Sequence, residues 1–320
     1  MIRTLFAALA AFALPLPAMA QDAPSPNQIV AEAPADEWVA IPAEDLLVMT
    51  LAPDRDGEPR EVVIQLMPEP FSQGWIANIR TLARASWYDG ISVNRVQDNY
   101  VVQWGDPNYD NPEAEGSAKP LPEGLRVMEE DDYTVPWGVA AMTPPIEGIT
   151  FDARAIPDNY TRQASFRNGW PIADNAFSAW PVHCYGMVGV GRGMSPDTGS
   201  GAELYTVIGH APRHLDRNIA LVGRIVSGME HLSSLPRGSG DLGFYTSEEA
   251  DKRTPIRRVR VASDLPAAEQ LRFEYLSTES ETFARYAEAR ANRHDPFFIV
   301  PAGGADICNI PVPVRMSPTG

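Results

Sequence analysis

Two short apolar runs, over residues 45–51 and 61–66, flank Pro53-Asp54-Arg55-Asp56-Gly57. Apolar runs separated by such a turn predict a β-hairpin, because Pro, Asp and Gly accept the backbone angles of a chain reversal. The period then changes: Trp75, Ile76, Ile79 and Leu82 recur at helical intervals, with Pro70 upstream and Gly90 beyond. That spacing predicts an amphipathic helix over residues 72–83. Strands are expected next at 92–96 and 100–104, joined by Gln97-Asp98-Asn99, and a closing strand at 256–261. Further on, Thr278 and Glu281 have capping-box spacing, and Phe283, Tyr286 and Ala287 supply a helical face up to about residue 292.

The remaining segments divide by composition. Residues 1–20 carry Arg3, an apolar run from Leu5 to Leu16, and Ala18-Met19-Ala20 before Gln21, the layout of a secretory signal peptide. The run is shorter than the roughly 20 residues a spanning helix needs, and no later segment is apolar enough to span. An exported, periplasmic protein without membrane insertion is therefore expected. Residues 21–43, rich in Ala, Pro and Asp and without a period, read as a flexible leader or an extended arm. A domain over 44–262 follows, interrupted by an insertion at about 107–182. Trp137, Phe151, Phe166, Trp170, Phe177 and Trp180 make that insertion too aromatic for a disordered segment and predict that it packs on the domain. Residues 263–320 form an extension, a helix and then a tail rich in Pro and Gly.

Charge and cysteines narrow the function. A formal net charge of -16 argues against nucleic-acid binding, which depends on cations that neutralise phosphates. The two cysteines, Cys184 and Cys308, would reach a compartment that permits disulfides, and a bond between them is favoured over two separate buried thiols. His210 and His214 lie four apart, but Pro212 between them disfavours a helix and no further ligand cluster is evident, whereas a structural zinc commonly takes four donors. His183, His231 and His294 read as isolated surface or loop histidines. Gly189-Val190-Gly191-Arg192-Gly193 lacks the spacing of a dinucleotide loop.

The strand pair at 92–104 sets an arginine and a glutamine among apolar residues, as Ser92-Val93-Asn94-Arg95-Val96 and Tyr100-Val101-Val102-Gln103-Trp104-Gly105. Tyr185-Gly186-Met187-Val188-Gly189-Val190-Gly191 comes later, then Gly199-Ser200-Gly201-Ala202-Glu203-Leu204-Tyr205, then Leu215-Asp216-Arg217-Asn218-Ile219-Ala220-Leu221. In this order the segments resemble the active-site strands, central strand, glycine-rich loop and following strands of the cyclophilins. The resemblance implies a mainly β fold, a closed antiparallel β-barrel capped by two helices at 72–83 and 226–233, here with an inserted loop region and a C-terminal helix plus tail.

The same resemblance implies peptidyl-prolyl cis-trans isomerase activity on proline-containing polypeptide clients, by a monomer, with no cofactor and no metal. Arg95 falls on the catalytic arginine and Gln103 on the glutamine that orients it. Tyr100, Val101, Tyr205 and Leu215 fall on the proline pocket, and Gly189, Glu203 and His214 on the rest of the substrate groove. Where many members carry Met, Asn, Gln, Trp and His, this chain has Val101, Gly189, Glu203, His214 and Ile219. Glu203 is expected to bring a negative charge near Arg95. The alternative function is a noncatalytic module that binds proline-containing segments as a chaperone or assembly factor.

Overall fold

Ser25 caps helix α1 (Pro26–Ala31), its side chain and that of Gln28 forming a capping box. The computed structural model describes residues 23–109, 112, 114–141, 156 and 158–318, so the signal segment expected at 1–20 lies outside the described residues. Strand β1 (Trp38–Ala40) precedes the expected hairpin, β2 (Leu46–Leu51) and β3 (Arg60–Leu66). Asp54 closes its turn, with Oδ1 accepting from the Asp56 and Glu58 amides at 2.9 Å. Helix α2 (Gln73–Arg84) buries Trp75, Ile76, Ile79 and Leu82 as their spacing predicts. Then come β4 (Ser92–Val96) and β5 (Val101–Gly105). The insertion supplies β6 (Val135–Pro136), α3 (Trp137–Ala141), β7 (Gln163–Arg167), β8 (Trp170–Asp174) and β9 (Ser178–Pro181). The chain continues through β10 (Met187–Val190), β11 (Leu204–Val207), β12 (Leu221–Ser227), α4 (Glu230–Ser233) and β13 (Ile256–Val261). It ends with β14 (Phe273–Leu276), α5 (Glu281–Ala291) and β15 (Val314–Met316). Among the described residues no helix is long and apolar enough to cross a membrane.

Eight strands form one antiparallel sheet in the order β13-β2-β3-β12-β10-β11-β5-β4. Its two edges meet: Gly90 N donates to Ile256 O, Ile256 N to Ile91 O and Val93 N to Thr254 O, at 2.8 to 3.0 Å. The sheet is thus a nearly closed barrel, which leaves few unpaired edge groups. Inward side chains such as Met49, Ile64, Val102, Trp104 and Val188 fill it together with the α2 face. β2 and β3 are near-continuous apolar runs for a physical reason. Their outward residues Leu46, Val48 and Val63 are covered by Ala262 and Phe273, so both faces are dry.

Four expectations are corrected. The leader at 21–43 is not a flexible segment from residue 26 onward: Ile29 and Trp38 join Leu276, Phe283, Tyr286 and Ile310 in a second core, and β1 pairs with β14. Its composition lacks a period because a six-residue helix and a three-residue strand are too short to display one. The insertion is more than a loop region: among its described residues it carries a four-stranded sheet, β6-β9-β8-β7, whose Trp170, Ile172 and Trp180 enter the main core. The helix expected at 226–233 shrinks to α4, since β12 continues to Ser227 and Gly228 turns at φ +80°, with the Glu61 carbonyl packed where a β-carbon would stand. The cap of α5 is Ser280, whose Oγ accepts from Phe283 N at 3.0 Å, instead of Thr278.

Cys184 and Cys308 are bonded, 124 residues apart in sequence. Closing so long a loop lowers the entropy of the unfolded chain, worth about 4 to 5 kcal/mol in the chain-entropy limit. The bond ties the tail, and with it the second core, to the start of β10. Replacing both residues by serine is expected to lower Tm by about 5 °C or more, read by calorimetry. The folded wild type should titrate with no thiol before reduction and two after it. An unchanged Tm would mean that packing alone holds the tail.

Candidate active site

Arg95 owes its direction to a break in strand register. Val93 lies opposite Trp104 and Val96 opposite Val102, all four inside the barrel, while Arg95 lies opposite Gln103. Regular alternation would send Arg95 inward with Val93, two residues away. The extra residue is Asn94, a β-bulge that resets the alternation and turns Arg95 outward. Asn94 is buried and secured, its Nδ2 donating to Gly105 O at 3.0 Å and its Oδ1 accepting from Ser92 Oγ at 2.6 Å. Across the next ladders Gln103 lies opposite Tyr205, and Tyr205 opposite Gly189. Arg95, Gln103, Tyr205 and Gly189 therefore form one transverse row over β4, β5, β11 and β10.

Arg95, Gln103 and Tyr205 of this row line a groove of about 610 Å³ together with Tyr100, Val101, Glu203, Leu215 and Ile219. One end is apolar: Val101, Tyr205 and Val207 form a buried cluster on the barrel's outer face, with Tyr100, Leu215 and Ile219 packed against it. At the other end Arg95 donates from Nε to Leu242 O at 2.8 Å, from Nη1 to Gln103 Oε1 at 3.1 Å and from Nη2 to Gln97 Oε1. The Phe244 and Tyr100 rings lie 5.4 and 5.7 Å from its guanidinium carbon. Burial pulls the Arg95 guanidinium below its ordinary value and raises the Tyr205 phenol well above its own. A guanidinium starts so high that it keeps its charge.

The glycine-rich loop before β11 is pinned from below by α2 and by Tyr88 just beyond it. Trp75 Nε1 donates to the Thr198 and Gly199 carbonyls, Asn78 Nδ2 to Ser200 O, and Tyr88 Oη to Gly201 O at 2.6 Å.

The arrangement offers an apolar slot for a ring without donors, beside a fixed cation. The family model for cyclophilin type peptidyl-prolyl cis-trans isomerases and cyclophilin-like domains matches residues 58–262. This chain belongs to the cyclophilin family. It is accordingly an enzyme of the peptidyl-prolyl cis-trans isomerase type. Among solved structures it resembles cyclophilin AquaCyp293 from Hirschia baltica, at 19% identity over 91% of this chain and 96% of that one, with a TM-score of 0.61. At that identity the likeness speaks for the fold. It also aligns with a Cryptosporidium parvum cyclophilin type isomerase determined in the presence of the dipeptide Ala-Pro, at 12% identity, 67% and 98% coverage and a TM-score of 0.36. No curated protein matches.

Three residues assigned to the cyclophilin groove sit differently from expectation. Gly189 lies beneath Tyr205, where a β-carbon would come within 2.3 Å of the phenol oxygen, and Gly191 lines the groove in its place. His214 is exposed and stacks on Tyr100, ring centroids 6.1 Å apart, without lining the groove itself. Glu203 is buried at the edge of the groove. Its carboxylate lies against Gly105, whose β-carbon would fall 1.8 Å from Oε1, and it adds to the burial that raises the Tyr88 phenol.

Other contributors escaped the sequence reading. The Leu242 carbonyl reaches Arg95 because Leu242 and Gly243 take positive φ, 55° and 82°. The glycines of Gly238-Ser239-Gly240-Asp241-Leu242-Gly243 signal a tight turn, yet nothing local shows that it meets Arg95. His183, read as an isolated loop histidine, is buried at 1% exposure between Asp216 and Tyr205. Burial alone would raise the Asp216 carboxyl, but hydrogen bonds and charge from His183 and Arg213 outweigh it and hold it below its ordinary value. A depressed carboxyl contributes stability above its unfolded pKa and loses it as pH falls through the folded one. The Tm penalty of Asp216→Asn should therefore be full at neutral pH and shrink below about pH 4. Melts from pH 7 to 2 test this, and a penalty constant across that range would contradict it.

Proposed function

We propose that this cyclophilin accelerates X-Pro isomerisation in exported proteins by stabilising the twisted amide through Arg95. The planar amide resists rotation by roughly 18 to 20 kcal/mol because resonance gives its C–N bond double-bond character. No covalent step is needed. As the bond twists, the prolyl nitrogen becomes pyramidal and regains its lone pair, so a donor aimed at that nitrogen binds the twisted form better than either planar isomer. Each 1.36 kcal/mol of that difference is about tenfold in rate.

The observation that carries this reading is the fixed guanidinium beside an apolar slot. Three of the five N–H donors of Arg95 are occupied by Leu242, Gln103 and Gln97, which leaves two for a substrate. A charge already oriented needs no reorganisation when the transition state forms. In this reading Tyr100, Val101, Tyr205 and Leu215 take the proline ring, and Gln103 orients Arg95. Exported clients are inferred from the segment at 1–20 and from a disulfide suited to an oxidising compartment.

Loss of one preoriented donor typically costs about a hundred- to a thousandfold in kcat, and Arg95→Ala is expected to lose at least a hundredfold on an Ala-Pro peptide followed by NMR exchange. Equal rates for variant and wild type would overturn the mechanism; peptide binding without turnover in the wild type would favour the noncatalytic module. In a Gram-negative host, the processed protein should begin at Gln21 and fractionate with the periplasm. N-terminal sequencing that finds the full chain in the cytoplasm would overturn the export reading.

A further inference from the structure

We infer that a buried chain of polar side chains couples the insertion to the proline pocket, with His183 as the positioning residue that holds Tyr205. This rests on the reading above that Tyr205 is a wall of that pocket.

The chain begins in the insertion at Asp158, whose Oδ2 pairs with Arg213 Nη1 at 2.8 Å, both side chains almost fully buried. Tyr160, two residues on, lays its ring 4.8 Å from the Arg213 guanidinium carbon. Arg213 Nε donates to Asp216 Oδ2 at 2.7 Å. The other oxygen of Asp216 accepts from His183 N at 3.0 Å and faces His183 Nδ1 at 2.9 Å. His183 Nε2 stands 3.0 Å from Tyr205 Oη, and the two rings are nearly parallel.

A carboxylate only accepts, so Nδ1 carries a proton; at Nε2 a neutral ring accepts from the Tyr205 hydroxyl and a charged one donates to it, and either way the bond is made. Tyr205 is then fixed at both ends: its backbone sits in β11 between β5 and β10, and its hydroxyl is held from behind the pocket. Gly189 leaves the space in which the ring lies. Every link is buried, and a buried polar group that loses its partner carries its full desolvation cost. Displacement of Asp158 therefore frees Arg213 to shift, then Asp216, His183 and the tyrosine hydroxyl in turn. No proton moves during isomerisation. The chain works by restricting the ring against which the proline must seat.

A double-mutant cycle on the full-length mature protein tests the coupling. Asp158→Asn and Tyr205→Phe, alone and together, are assayed for kcat and KM on an Ala-Pro peptide, with thermal melts as folding control. Each single variant should lose about three- to tenfold in kcat/KM, or about 0.6 to 1.4 kcal/mol, and the double variant no more than Tyr205→Phe alone, because the link is already cut. Nitrogen-15 spectra of the imidazoles should show a protonated Nδ1 on His183 in the wild type and a shifted Nε2 resonance in Asp158→Asn. Multiplying rate losses with an unmoved His183 resonance would overturn the inference. If Asp158→Asn does not fold, Arg213→Lys keeps the charge, loses the fork and gives the same test. Arg95→Ala runs alongside. Full activity in that variant would sink the reading of the groove itself, whereas a dead Arg95→Ala with an additive cycle would sink only the coupling.

Discussion

The pairing of β4 with β5 slips by one residue at Asn94, and the groove depends on that slip. A strand sends alternate side chains to opposite faces, so an unbroken β4 would place Arg95 in the barrel beside Trp104. A lone guanidinium there would meet a desolvation cost with no partner to offset it. The bulge removes the conflict. Val93 and Val96 both stay inside, Arg95 turns out, and the register then sets Gln103 and Tyr205 in line with it across two further strands.

Around that row the fold is arranged to hold surfaces still. Polar side chains of α2 fasten the glycine-rich loop, and the turn at Leu242 and Gly243 supplies a backbone carbonyl to Arg95. Such acceptors do not relax away from a cation, which makes the guanidinium a stable source of field at the mouth of the apolar slot. The parts that enlarge this chain are built into the same body. The insertion contributes tryptophans to the main core and Asp158 to the buried polar chain, while the two termini join in one small core. Because the termini cover the outer face of β2 and β3, removing them would expose Leu46, Val48 and Val63 as well as lose the disulfide's anchor. A fully buried aliphatic side chain is worth about 1.5 to 3 kcal/mol, so those contacts are a substantial part of the barrel's stability.

What could be read from the sequence was local or periodic. The spacing of Trp75, Ile76, Ile79 and Leu82 determines α2, the runs at 45–51 and 61–66 determine a hairpin, and the order of motifs around Arg95, Gln103 and Tyr205 determines the family and its chemistry. Periodicity reports which face of an element is dry, because burial is set by side-chain alternation within that element. Tertiary structure decided the rest. Which groups complete Arg95 depended on a turn 147 residues away, and His183 became a buried partner of Tyr205 only when Asp216, 33 residues on, closed over it. The apparent leader became ordered because β1 found β14 at the far end of the chain. A side chain's partners are set by distance in space, and a sequence carries no such distance for contacts between elements.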